Sequence, residues 1–354
     1  MRRANPLPWL ITGAVVLSLG VILWVLLAVG RGAGNPAVGD GREAASYGFR
    51  LENLAVPADL LVASGVPRDR ILVRDAPAVL TAADVDRRNA ERRGKLLVPN
   101  DRVVGVVIGD EARAYPLRIL QWHEIVNDRV AGEPIAATYS PLCDAVVVFS
   151  RRLRDRVLRF GHSGLLYQSN LVMYDRRARV PSLWSQLVGR AIAGPEAGTR
   201  LTRLPFSLTT WAAWRAEHPQ TTVLAPDPRL GREYRRAPYS SYFGSEILRF
   251  PVKPLPEPTG ARLKDRVAVI ASGDAERVLI LSNLARSIGA SSGKWMGFVG
   301  PCPVEIRFDA ELGTAEPRSL DSAEPAELVA SAFWFAWYAT HPSADGRRMT
   351  RSKE

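Results

Sequence analysis

Cysteine is scarce in this chain: Cys143 and Cys302 are the two among 354 residues, so one disulfide at most can brace it. Histidine occurs four times, at His123, His162, His218 and His341, and lysine at only five positions, so the net charge of +11 rests on arginine. The arginines stand singly or in pairs (Arg87-Arg88, Arg92-Arg93, Arg151-Arg152, Arg235-Arg236) with acidic residues among them. That spacing describes a dispersed, solvated surface, and no nucleic-acid partner is expected. A Ser-centred nucleophile elbow and a dinucleotide fingerprint are both missing. Gly289-Ala290-Ser291-Ser292-Gly293-Lys294 is one residue short of a phosphate loop, and Trp295 replaces the hydroxyl that would hold magnesium, so it reads as a turn. His123-Glu124 begins like a zincin helix, but Asn127 stands where the second histidine is required. A hydrophobic content of 47% against 23% charged excludes a disordered chain.

One long apolar run is present. Leu7 to Val29 carries no charge and follows Arg2 and Arg3. At 1.5 Å per residue it is long enough to cross a hydrocarbon core of about 30 Å, and it exceeds the apolar region of a cleavable signal peptide. The basic N-terminal flank favours retention in the cytoplasm. The expectation is an uncleaved single-pass anchor, with the bilayer as partner through Leu7–Val29, the N-terminus cytoplasmic and the main domain extracytoplasmic. Gly30 to Tyr47, rich in glycine and alanine, reads as a flexible tether.

Beyond the tether, Ala82 to Arg93 reads as a polar helix, and Arg102–Gly109 with Ala112–Leu117 as a hairpin around Gly109-Asp110. Gln121 to Asp128 suits a short helix, and Ile135–Tyr139 with Ala145–Phe149 a further strand pair. Much of this order returns after the proline-rich stretch Pro251–Pro258. Arg266–Asp274 matches Arg102–Asp110 at an offset of 164, and Cys302 with Phe308 matches Cys143 with Phe149 at 159. Trp334, Trp337 and His341-Pro342 match Trp211, Trp214 and His218-Pro219 at 123. Ordered matches of this kind mark a repeated unit. The expected fold is therefore α+β and β-rich, with two unequal, internally duplicated halves after one N-terminal transmembrane helix. Its divisions are an anchor (1–30), a tether (31–47), a larger first half with the candidate site (48–250), a linker (251–264), a degenerate second half (265–342) and a basic tail (343–354).

Features kept by both halves read as scaffold. The paired tryptophans pack a helix face, and His218 and His341 end their helices, where an imidazolium favours the carbonyl terminus. Features kept by the first half alone are the functional candidates. The counterpart of His123 falls on Arg286-Ser287, and the second half lacks most of Phe160–Gly198, which holds His162, Asp175 and Trp184.

AYPL at Ala114–Leu117, HEIVND at His123–Asp128, the YSPLC segment, FGHSGLLYQSNLVMYDR at Phe160–Arg176, SLWSQ at Ser182–Gln186 and the terminal FWFAWYATHP together resemble the domain of unknown function 3179 family. The resemblance spans roughly residues 50 to 342 and implies no established activity. Two departures stand out. Ser140-Pro141-Leu142-Cys143 replaces the Cys-Pro-Leu-Cys of many members, removing a dithiol, and Val180-Pro181 is inserted before SLWSQ.

The candidate pocket gathers His123, Cys143, His162, Asp175, Asn127 and Trp184. As a metal site, His123, Cys143 and His162 would suit copper or zinc, with Asp175 or water completing the shell. As an enzyme, Cys143 would be the nucleophile of a thiol-dependent hydrolase or transferase, with His123 or His162 as base and Asn127 or Asp175 orienting it. The plain alternatives are His123 bonded to Asn127 one turn on, His162 in a glycine-flanked turn, and a non-catalytic envelope scaffold closed by a Cys143–Cys302 disulfide. The reading that these residues favour is an extracytoplasmic ligand- or metal-binding domain with its pocket in the first half.

Overall fold

The computed structural model describes residues 37–91, 95–258, 260–320 and 325–342. The run Leu7–Val29, the start of the tether (31–36) and the tail 343–354 lie outside them. Among the described residues no helix is long and apolar enough to cross a membrane.

Valine-rich alternation and the Gly109-Asp110 turn produce the expected hairpin of β1 (Arg102–Ile108) and β2 (Glu111–Pro116). After it come α1 (Leu117–His123), β3 (Ile125–Val130), β4 (Glu133–Ser140) and β5 (Ala145–Ser150). Then follow β6 (Phe160–Tyr167), β7 (Asn170–Asp175), β8 (Leu183–Ser185), β9 (Arg190–Ala193), β10 (Ser207–Thr210) and α2 (Trp211–Glu217). From Arg266 the chain forms β11 (Arg266–Ser272), β12 (Ala275–Ile280), α3 (Leu281–Ile288), β13 (Ser292–Val299), β14 (Cys302–Asp309), β15 (Thr314–Ser319), β16 (Glu327–Phe333) and α4 (Trp334–Thr340). Shorter strands are named by range below.

The helix expected at Gln121–Asp128 lies earlier. Its apolar positions Leu117, Ile119, Leu120 and His123 are buried, and it stops at Glu124, whose φ of 57° is left-handed. The chain then turns directly into β3.

Two eight-stranded sheets form the frame. The first runs β12-β11-β16-β5-β4-β3, with Arg74–Asp75 beside β3 and Arg203–Leu204 also on β5. The second runs β13-β14-β15-β10-β1-β2, continued by Thr222–Leu224 and Val79–Thr81. Each sheet therefore takes three of these strands from residues 102–210 and three from 266–333. The linker joins parts of one body instead of separating two, and the described residues from Gly39 onward cluster together. Backbone bonds recur at the shifted positions. Trp211 N–H donates to the Asp101 carbonyl at 2.8 Å and Trp334 N–H to Asp265 at 2.7 Å; Ala212 donates to Pro99 at 3.0 Å and Phe335 to Leu263 at 2.9 Å. The Cys143–Cys302 match does not follow strand order, since Cys143 ends the turn between β4 and β5 whereas Cys302 opens β14.

The sheets face each other across one core. Ile135, Ala137, Tyr139, Val146 and Val148 of the first sheet meet Val104, Val106, Leu208, Val304 and Ile306 of the second. The alternate residues Ala136, Ala145, Val147 and Phe149 face the other way, onto Phe160, Leu171, Met173 and Trp184. Those partners belong to a third sheet, Leu61–Ala63 followed by β6-β7-β8-β9. The segment expected only in the first half is therefore a covering layer, and β4 and β5 are apolar on both faces because both are buried. In the second sheet β14 alternates, with Val304, Ile306 and Phe308 inward and Arg307 exposed.

Both paired-tryptophan helices are core, as expected, with Trp211, Trp214, Trp334 and Trp337 buried. His218 and His341 follow their last turns and lie 4.0 and 3.8 Å, centroid to centroid, from Trp214 and Trp337. For His341 the imidazolium explanation fails: burial lowers its pKa to about 4, so it packs as a neutral ring. The tether also ends before Tyr47, which is fully buried and donates its hydroxyl to the Val66 carbonyl at 2.8 Å.

Gly105 of β1 leaves room for the Trp214 ring, since a Cβ there would sit 2.2 Å from it. Gly105→Ala should lower unfolding free energy by about 1–3 kcal/mol, read from urea denaturation, because the buried indole has nowhere to retreat. An unchanged midpoint would refute this packing.

Candidate functional site

The six residues singled out from sequence occupy separate places. His123 ends α1 fully buried. Its Nδ1–H donates to the Leu72 carbonyl at 2.6 Å, so Nε2 accepts the Tyr234 hydroxyl at 2.6 Å. The Tyr234 oxygen accepts the Asp227 N–H in turn at 3.0 Å. Burial holds the His123 pKa below the usual imidazole range, which keeps it neutral in this role. It is not bonded to Asn127. The Asn127 amide instead staples β3 to β6, donating to the Phe160 carbonyl at 2.8 Å, accepting the Phe160 N–H at 3.0 Å and donating to Asp75 at 2.9 Å.

His162 lies within β6, in a strand and not a turn. Its Nδ1 accepts the Gly164 N–H at 3.1 Å, so its Nε2–H faces Glu124 Oε2 at 3.3 Å. Cys143 Sγ donates to the Ser169 carbonyl at 3.2 Å, and burial drives its pKa far above the usual thiol range. Among the described residues no hydrogen bond or ion pair joins any two of His123, Cys143 and His162, and no group of three His, Cys, Asp or Glu side chains has metal-holding geometry. The expected copper or zinc centre is therefore not assembled: all four imidazole nitrogens of the two histidines are already engaged. The expected nucleophile lacks its base for the same reason. The Cys143–Cys302 disulfide is not formed either; the two sulfurs lie in different core layers.

Asp175 and Trp184 sit in the third sheet. Asp175 Oδ1 accepts the Ser182 N–H at 3.0 Å, while Oδ2 and Trp184 Nε1 make no hydrogen bond of normal geometry. Burial raises the Asp175 pKa to about 6, opposed in part by Ser182. Trp184 packs edge-on against Phe160 at 6.1 Å.

A different group of residues surrounds open space. Arg102 and Arg266 open β1 and β11, the same position in the two hairpins. Both reach Asp144, which is wholly buried at the left-handed turn (φ 41°) between β4 and β5. Arg102 Nη1 donates to it at 3.0 Å, Arg266 Nε at 2.5 Å and the Tyr139 hydroxyl at 2.8 Å. Burial alone would raise the Asp144 carboxyl, but the two guanidiniums outweigh it and hold its pKa at about 2. Arg102, Arg266 and Tyr139 line a cleft of about 420 Å³, walled further by Arg118, Tyr234, Arg235, Arg236 and Leu312. Arg118 is held by Asp101 at 2.9 Å. His123 therefore stands behind the cleft, fixing the Tyr234 wall. A larger groove of about 490 Å³ crosses the outer face of the second sheet, where Glu305, Arg307, Glu316 and Arg318 are strand side chains of alternating charge. No wholly buried charge supports it, so the smaller cleft is the better-built site.

Sequence reading passed over Arg102, Asp144, Arg266 and Tyr234. The signal was present, because Arg102 and Arg266 begin the two matched runs, but a residue kept by both halves was read as scaffold.

Asp144→Asn should cost about 3–5 kcal/mol in unfolding free energy, since it strands two guanidiniums. The sign of the pH effect follows from the lowered carboxyl. Its contribution is complete above an unfolded pKa of about 3.9 and is lost as pH falls toward about 2. Denaturation series from pH 6 to pH 2 should therefore be steeper for the parent chain than for Asp144→Asn, and parallel curves would overturn this assignment.

No curated protein and no solved structure matches the chain. A family described as "Protein of unknown function (DUF3179)" matches residues 74–323. That span holds Asp75, His123, Asp144, His162, Tyr234 and Arg266, and it covers most of the chain. The expected resemblance is confirmed: the chain belongs to the DUF3179 family of proteins of unknown function.

Proposed function

We propose that the folded body is an extracytoplasmic ligand-binding domain, held at the bilayer by Leu7–Val29, whose ligand enters the cleft between the two halves. The observation that carries this reading is the composition of the cleft. Its floor takes Arg102 and Tyr139 from one half and Arg266 from the other, and a fixed tyrosine and arginine wall closes it. Concave sites with a few convergent polar groups, set where structural units meet, are the usual form of a small-molecule pocket. The thiol-dependent alternative is less well supported, because Cys143 is a buried donor without a base.

The reading includes a duplicated origin for the halves. It is supported by the matching order of elements from Arg102 and from Arg266, by the repeated backbone bonds of α2 and α4, and by the mirrored strand orders. A ligand pocket at the join of two copies requires both.

Thermal unfolding of the full-length chain against a panel of metabolite-sized compounds tests the cleft. At least one compound should stabilise saturably, by ~2.7 kcal/mol at a hundred times its Kd. Leu312→Trp, which places an indole in the cleft, should abolish that effect. A panel without hits, or hits that Leu312→Trp leaves unchanged, would remove the proposal. For the anchor, alkaline carbonate should leave the chain in the membrane fraction, and external protease should digest the domain in spheroplasts. Release by carbonate or protection from protease would refute that placement.

A further inference from the structure

We infer that the cleft takes an oxyanion, a carboxylate or phosphate group of a small molecule, bound by Arg102 and Arg266 above Asp144; this rests on the cleft being the binding site. The first ground is charge. Two guanidiniums converge on one wholly buried carboxylate, so the triad keeps one positive charge in excess. The Tyr139 hydroxyl also donates to Asp144, so every contact made by this carboxylate is already a donor aimed at it. The second ground is an unmet bond. Arg102 lines the cleft, and its Nε is buried without a hydrogen-bond partner. A buried donor left in this way costs free energy that an arriving acceptor recovers.

The surroundings point the same way. Five arginines line the cleft, Arg102, Arg118, Arg235, Arg236 and Arg266, against the carboxylates of Asp101 and Glu311. Asp144 and Glu233 stand behind them, Asp144 shared by Arg102 and Arg266 and Glu233 paired with Arg236. Guanidinium is the group that recognises planar oxyanions by paired hydrogen bonds. The asymmetry is built into the turns. Between β4 and β5 the chain supplies Asp144; between β14 and β15 Arg266 Nη1 donates to the Glu311 main-chain carbonyl, at 3.2 Å. One carboxylate thus serves two equivalent arginines.

The test uses full-length chain with malonate or inorganic phosphate as anion and malonamide as the neutral analogue, in chloride buffers of matched ionic strength. Malonate or phosphate should bind saturably by calorimetry and malonamide should not. Arg266→Gln, which leaves Arg102 and Asp144 balanced, should weaken the anion about tenfold or more. Asp144→Asn should act in the opposite direction, binding the anion more tightly and regaining more of its lost stability from it than the parent gains. Arg266→Lys keeps the charge and should retain binding if Arg266→Gln does not fold. A purely structural ion-pair network predicts no such opposition. Equal anion effects on parent, Arg266→Gln and Asp144→Asn, or the absence of saturable binding by either anion, would overturn the inference. If malonamide binds and Leu312→Trp removes it, the cleft reading stands and the oxyanion falls. If Leu312→Trp changes the binding of no probe, the cleft reading itself fails.

Discussion

Neither run of strands in this protein completes a sheet alone. β16 reaches β5 through the Ser331–Val146 register and β10 reaches β15 through Leu208–Ala315, and these two narrow joins turn two sets of six strands into two continuous sheets. The main core lies between those sheets, so its burial of valine, isoleucine and phenylalanine, about 1.5–3 kcal/mol for each side chain, exists only when both joins are made. The linker 251–264 is therefore a crossing within one cooperative body. Arg102 and Arg266 can share Asp144 because interleaving brings the starts of β1 and β11 to the same turn.

The third sheet changes what burial means in the first half. Most residues there are apolar or hydrogen-bonded because a second layer covers them, with Asp175 Oδ2 and Trp184 Nε1 as exceptions, and that layer accounts for most of the unusual residues of the first half. Asn127 is a staple between β3 and β6; His162 satisfies Glu124 and the Gly164 amide; Cys143 fills space and donates to Ser169. Left-handed backbone at Glu124, Asp144, Gln168 and Ser169 lies in the same region, where tight turns meet the added layer. Uniqueness to one half thus tracked an extra packing interface, whereas Arg102 and Arg266, which line the cleft, open matched strands.

Legibility differed from element to element for physical reasons. The β1–β2 hairpin was readable because alternation and a Gly-Asp turn are local properties. The tryptophan helices were readable because a three-residue spacing marks one helical face. The α1 boundary was misplaced because a left-handed glutamate ends the helix, and glutamate carries no such signal in sequence. His123 was read as a metal ligand or base, because its role as support for Tyr234 needed a partner distant by 111 positions. The neutral state of His341 depended on burial that only the folded α4 provides.

By itself the amino-acid sequence determined the family, the β-rich class, the first hairpin and the two tryptophan helices. These depend on near neighbours: side-chain period, turn residues and runs of matched length. Tertiary structure alone decided which faces are buried, whether two cysteines meet and which charges converge. Asp144 is 42 residues from Arg102 and 122 from Arg266, and no local pattern encodes a contact made by interleaving two sheets.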